Sequence, residues 1–160
     1  MSHFKDVLLL VGQLNYTWTN TESLLIHMIA GLANVDKETA IVIFLTLNTP
    51  RARMDLVERL AKLPKTSAAC RAEVLEASRS LGEQAKLRNK YNHCIYSFDQ
   101  EGGSGMTQSL RIFESKDAVK YGKVEALDDT EILRIQDSIQ ALVAINKSFW
   151  DITERYNFPR

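Results

Sequence analysis

The run Arg88-Asn89-Lys90-Tyr91-Asn92-His93 places a permanent cation, an amide and an imidazole within about one and a half helical turns. Arginine stays charged and can fork onto a phosphate. Histidine is the side chain best suited to move protons near neutral pH. A cation for an anion plus a proton shuttle is enough to split a phosphodiester without a metal. The same residues also suit a plain helix end with a salt bridge. Asn89 and His93 are spaced to share a helix face, so the amide could orient the imidazole. Arg88 and His93 lie about 140° apart on an ideal helix. They converge on one phosphate only if the helix stops there, or if two copies of the chain face each other across a two-fold axis.

The elements that must position these residues are helical. From about Ser2 to Ala33, Phe4, Val7, Val11, Leu14, Trp18, Thr21, Leu25, Met28 and Leu32 alternate by three and four, which predicts one long helix with a continuous packing seam. Asp36 is the expected N-cap of a second helix to about Leu47, apolar nearly all round from Ala40 to Leu45 and so expected to be deeply buried. Thr49 and Pro50 are the expected cap and first residue of a third helix, with Met54, Val57, Leu60 and Ala61 on one face. Ser67 caps a fourth, whose stripe of Cys70, Val74, Ala77, Leu81 and Ala85 runs on into Arg88 and Asn92. Two polar groups on an apolar stripe need partners, and an interface or cleft suits them better than a closed core.

Beyond His93 the pattern changes. Ile95–Phe98, Met106–Phe113 and Tyr121–Ala126 read as short strands, with a glycine-rich turn at Gln100–Gly105. Asp128 and Glu131 resemble a capping box opening the last helix. The expected fold is mainly α, an antiparallel up-and-down bundle forming one domain over residues 1–160, with a β-hairpin insertion over 94–126.

Composition narrows the chemistry. The 160 residues are 45% apolar and 25% charged, and twenty basic residues balance twenty acidic ones. A neutral chain does not coat nucleic acid non-specifically, although a local basic patch is still allowed. Two isolated cysteines, Cys70 and Cys94, fit a reducing compartment and form no metal-binding pattern. The apolar run Val7–Val11 is too short for a membrane span and has no cleavage site after it. The expectation is a cytoplasmic protein with no membrane partner, no metal and no cofactor.

Arg88-Asn89 followed by His93, after a long apolar-faced helix and before the last helix, resembles the signature of the HEPN superfamily (higher eukaryote and prokaryote nucleotide-binding domains). Four residues separate the Arg from the His, a polar residue follows the Arg, and Leu87 precedes it. The first helix, with Trp18 and Glu22, is similar to that of several such families. The β insertion departs from the plain bundle. The resemblance implies metal-independent RNA cleavage in a cleft at a homodimer interface, leaving 2′,3′-cyclic phosphate and 5′-hydroxyl ends. His93 would be the general acid or base. Arg88 would hold the scissile phosphate, and Asn89 would position one of them. The alternative is a non-catalytic interaction or ligand-binding module on the same bundle. A toxin-like nuclease restrained by an antitoxin-type partner is a third reading.

Around the motif, Lys86, Lys90 and Tyr91 are the candidate substrate contacts, the lysines for phosphates and Tyr91, like Tyr96, for stacking on a base. Arg51, Arg53 and Arg59 would extend an RNA track if they shared that face. Glu22 is either a partner that holds Arg88 or a solvated helix-face carboxylate. His27 lacks the spacing of a di-iron site, and Gly102–Gly105 lacks the strand and helix that flank a phosphate loop.

Overall fold

The computed structural model describes residues 3–160. The expected helix start at Ser2 lies outside them. The described residues form α1 (His3–Glu22), α2 (Leu25–Ala33), α3 (Lys37–Thr46), α4 (Pro50–Ala61), α5 (Ala68–Asn92), five strands and α6 (Asp129–Arg155). The chain is therefore mainly helical with small antiparallel sheets before the last helix. No described helix is long and apolar enough to cross a membrane.

The chain forms two compact units. One comprises Thr17–Ala85 and Ala141–Arg160. In it α2 packs against α3 and α4. Its core holds Trp18, Leu25, Met28, Ile29, Val57, Val74, Leu81, Leu142 and Phe149. The caps are those the sequence indicates: Asp36 accepts from the Thr39 N–H at 2.7 Å, Thr49 from Ala52 at 3.1 Å and Ser67 from Cys70 at 3.2 Å.

Two helical expectations change here. The long first helix breaks after Glu22. Leu24 N–H bonds to Thr21 O and His27 N–H to Leu24 O, a tightened three-residue pattern, and the Ser23 hydroxyl bonds Asn20 O at 2.8 Å. An apolar three-four seam continues across such a joint, so the break leaves no mark on it. In α3 only Ala40 and Phe44 are buried, whereas Val42 and Leu45 are 61% and 64% exposed. An all-round apolar helix states which faces can be covered, not which are.

The other unit runs through Tyr16 and from Lys86 to Gln140. Its strands are β1 (Cys94–Phe98), β2 (Gly105–Ser109), β3 (Ile112–Glu114), β4 (Val119–Tyr121) and β5 (Val124–Ala126). β2 lies between β1 and β5 in one antiparallel sheet, with Cys94 opposite Ser109 and Thr107 opposite Glu125. β3 and β4 pair as a separate ribbon. The single strand expected over Met106–Phe113 is thus two. Leu110 N–H bonds back to His93 O at 2.9 Å and Arg111 N–H to Ser109 O at 2.9 Å, which turns the chain out of the sheet before Ile112.

Candidate functional site

The end of α5 carries the motif. The helix stops at Asn92, and His93 N–H closes its last turn on Asn89 O at 3.1 Å. This is the helix stop that convergence of Arg88 and His93 requires within one chain. His93 is exposed, and its imidazole has no hydrogen bond or ion pair among the described residues. Its backbone is held from both sides, since its carbonyl receives Leu110.

Arg88 is half-buried and held by amides. Its Nη1 donates to Asn89 Oδ1 at 3.1 Å. With the Asn92 amide oxygen turned to the guanidinium, that oxygen accepts Arg88 Nε at 3.0 Å and Nη2 at 2.9 Å. Asn92 then donates to Asn15 Oδ1 at 2.6 Å, and Asn15 Nδ2 donates to Val11 O at 3.1 Å. A ladder of side-chain amides thus runs from the guanidinium to the backbone of α1. It answers the question raised by two polar groups on an apolar stripe, because Arg88 and Asn92 satisfy each other. It also redefines Asn89, whose side chain sits on Arg88 rather than on His93. Asn15 was not legible as a partner, because it lies far from the motif in sequence.

Three expected site residues are used elsewhere. Tyr91 is 2% exposed, and its hydroxyl donates to Glu131 Oε2 at 2.5 Å, so it offers no face to a base. Burial and that bond push its pKa well above the ordinary phenol value. Lys90 bridges Glu131 at 2.8 Å and Glu125 at 3.0 Å. Burial pulls its ammonium down, but the two carboxylates more than reverse this and raise it. Glu131 is desolvated too, yet its bonds from Lys90 and Tyr91 hold the carboxyl below its usual value. Arg134 adds a bond at 2.6 Å. Glu131 therefore closes only half of a capping box: its N–H bonds Asp128 Oδ1 at 3.0 Å, while its carboxylate binds this cluster. Tyr96 is also spent, donating to Tyr91 O at 2.5 Å.

Glu22 is not a solvated helix-face carboxylate. It is 6% exposed, accepts the Trp18 indole N–H at 2.7 Å and pairs with Arg53. Arg53 also donates to Phe44 O and Leu47 O at 3.0 Å and lies 4.0 Å over the Phe44 ring. Both belong to the unit that does not contain the motif, and Arg53 is a clamp rather than part of an RNA track. Lys86 alone of the expected substrate contacts is exposed and without an ion pair among the described residues. The glycine-rich turn presents its N–H groups inward: Asp99 accepts Gly103 at 2.7 Å and Ser104 at 3.0 Å. His27 bonds Pro159 O at 2.8 Å, and no described group of three His, Cys, Asp or Glu residues is arranged to hold a metal ion.

No protein-family model, no curated protein and no solved structure matches this chain.

Proposed function

We propose that the chain is a HEPN-type endoribonuclease that cleaves RNA without a metal, leaving 2′,3′-cyclic phosphate and 5′-hydroxyl ends. One observation carries the reading. A guanidinium pre-set by two amides precedes an exposed imidazole with no hydrogen bond among the described residues, at the point where the helix ends. Amide oxygens orient a guanidinium without themselves adding negative charge, so Arg88 is prepared for a phosphate. His93 takes the proton of the ribose 2′-OH or returns one to the leaving 5′ oxygen. Arg88 binds the non-bridging oxygens and stabilises their charge in the transition state. Asn89 and Asn92 are positioning residues.

The site is read as one of a pair across a homodimer, for which Phe4, Leu8, Leu9 and Tyr16 of α1 supply exposed apolar surface. An antitoxin-type protein partner would then restrain the nuclease. The same exposed side chains favour the second reading, a non-catalytic interaction module.

Cleavage of single-stranded RNA in the presence of EDTA separates the two. The wild type should cut, and His93→Ala and Arg88→Ala should each lose about a hundredfold or more. Mass spectrometry should find cyclic phosphate ends. Equal rates in all three proteins, or cutting that EDTA abolishes, would overturn the ribonuclease reading.

A further inference from the structure

The β3–β4 ribbon has no role in the mechanism above. Every residue from Leu110 to Tyr121 is exposed. Ile112 is 63% exposed, Phe113 56%, Val119 54% and Tyr121 68%. A lone two-stranded ribbon is marginal in water and does not present such side chains without a use. Its register puts Phe113 directly opposite Lys120 on one face, and Ile112 opposite Tyr121 on the other. Arg111, Lys116, Lys120 and Lys123 stand against Glu114 and Asp117, an excess of cations in a chain whose net charge is zero. Lys123 pairs with Glu125, whereas Arg111, Lys116 and Lys120 have no ion pair among the described residues.

The ribbon is rooted at the motif. Leu110, which leads into β3, is hydrogen-bonded to the His93 carbonyl at 2.9 Å. On the returning side Gly122 is buried so close to β2 that a Cβ there would meet Ser109 O at 2.1 Å. The ribbon thus leaves the sheet from a fixed root beside His93.

We propose that the β3–β4 ribbon is a single-stranded RNA arm, with Phe113 stacking on an unpaired base while Lys120, Arg111 and Lys116 take the flanking phosphates. An aromatic ring with a lysine across the rung matches a nucleotide, which offers a π-face and an anion side by side. A protein partner is the poorer fit, because lysine is depleted from the cores of protein interfaces. Duplex RNA is a poorer fit too, since its bases are not free to stack on a side chain. Tyr121, on the opposite face, is a second stacking platform. The inference rests on the ribonuclease reading and adds to it where the substrate strand lies outside the scissile bond.

The test measures binding apart from cleavage. A fluorescein-labelled twelve-nucleotide RNA of mixed sequence, 2′-O-methylated throughout, cannot be cut by 2′-OH attack, and its anisotropy reports affinity. The wild type should bind it without cutting it. The double variant Phe113→Ala, Lys120→Ala should bind about tenfold or more weakly. Phe113→Trp should keep the wild-type affinity, because an indole stacks on a base as the phenyl ring does. Lys116→Ala should shallow the salt dependence of log affinity by about 0.7. Melting monitored by circular dichroism should be the same for all variants, because the substituted side chains are exposed. Unchanged affinity in the double variant, equal affinity for the annealed duplex, or a lower oligomeric mass on losing Phe113 would overturn the arm. If the arm variants lose binding while the wild type cuts no RNA, the arm stands and the ribonuclease reading falls. If the wild type cuts RNA and the arm variants bind as well as it does, the reverse holds.

Discussion

At the residue scale, amides prepare the candidate site. Asn92 carries the sharpest consequence. Asn92→Asp would place a carboxylate against Arg88 Nε and Nη2, at the positions now held by an amide oxygen. The carboxylate competes with the phosphate for the same guanidinium. RNA cleavage by Asn92→Asp should fall about tenfold or more, and Tm should not fall, since a charge-assisted pair replaces a neutral one. A second residue-scale prediction concerns Glu22 and Arg53, 8% and 17% exposed in their side chains. Removing one partner strands a buried charge, so Glu22→Ala or Arg53→Ala should each cost about 3–5 kcal/mol in urea unfolding. A Glu22→Ala protein that stays fully stable but loses RNA binding would return Glu22 to the site. The spacing of Arg88 and His93 was legible because both sit on one short segment. The roles of Asn92, Lys90, Tyr91 and Glu22 were not, because their partners Asn15, Glu131, Glu125 and Arg53 come from other elements.

At the element scale, two devices fix the end of α5. One is the β1–β2 sheet, whose last bond ties Leu110 to His93. The other is the Tyr91–Glu131–Lys90 cluster, which joins α5 to the first turn of α6. Tyr91→Phe leaves the ring packed but removes a donor from a buried carboxylate, and should cost about 1–3 kcal/mol. Gly122→Val drives a side chain into Ser109 O and must shift the ribbon root. It should lower RNA affinity several-fold while the helical circular dichroism stays that of the wild type. Retained affinity would mean that the ribbon's direction is immaterial. The strands themselves were readable from alternation and glycine turns. Their division into two sheets was not, because it depends on one backbone donor choosing a carbonyl across the sheet.

At the scale of the whole molecule, the same cluster sets a pH window. Glu131 has its carboxyl held down in the fold. Its contribution is full above the unfolded value of about 4.3 and is lost as pH falls through the folded one. Lys90 is held up. Its contribution is full below about 10.4 and is lost as pH rises through the folded value. Their joint contribution should therefore be constant from about pH 5 to 10. In thermal melts across pH, Glu131→Gln should lower Tm on that plateau and flatten the acid limb. An acid limb as steep as the wild type's would assign acid lability to other carboxylates. The proposed homodimer belongs to this scale as well. Leu8 and Leu9 are 55% and 57% exposed on α1, and Leu8→Asp with Leu9→Asp should halve the mass measured by sedimentation. An unchanged mass would remove α1 from the interface.

The sequence alone determined what is local and periodic. Helical spacing, caps at Asp36, Thr49, Ser67 and Asp128, and the strand segments are set by residues a few positions apart, so they can be read along the chain. It also held the motif, because Arg88 and His93 share one turn-and-a-half of α5 and its end. Tertiary structure decided which groups are free to act. The energy that fixes a buried polar side chain comes from a partner that pairing alone supplies. That is why Lys90 and Tyr91 are consumed by Glu131, Glu22 by Arg53, and Arg88 is turned by Asn92 and Asn89, while His93 remains exposed. The ribbon beside His93 follows the same logic. Its residues were plain in the sequence, but their exposure and their root at the motif exist only in the fold.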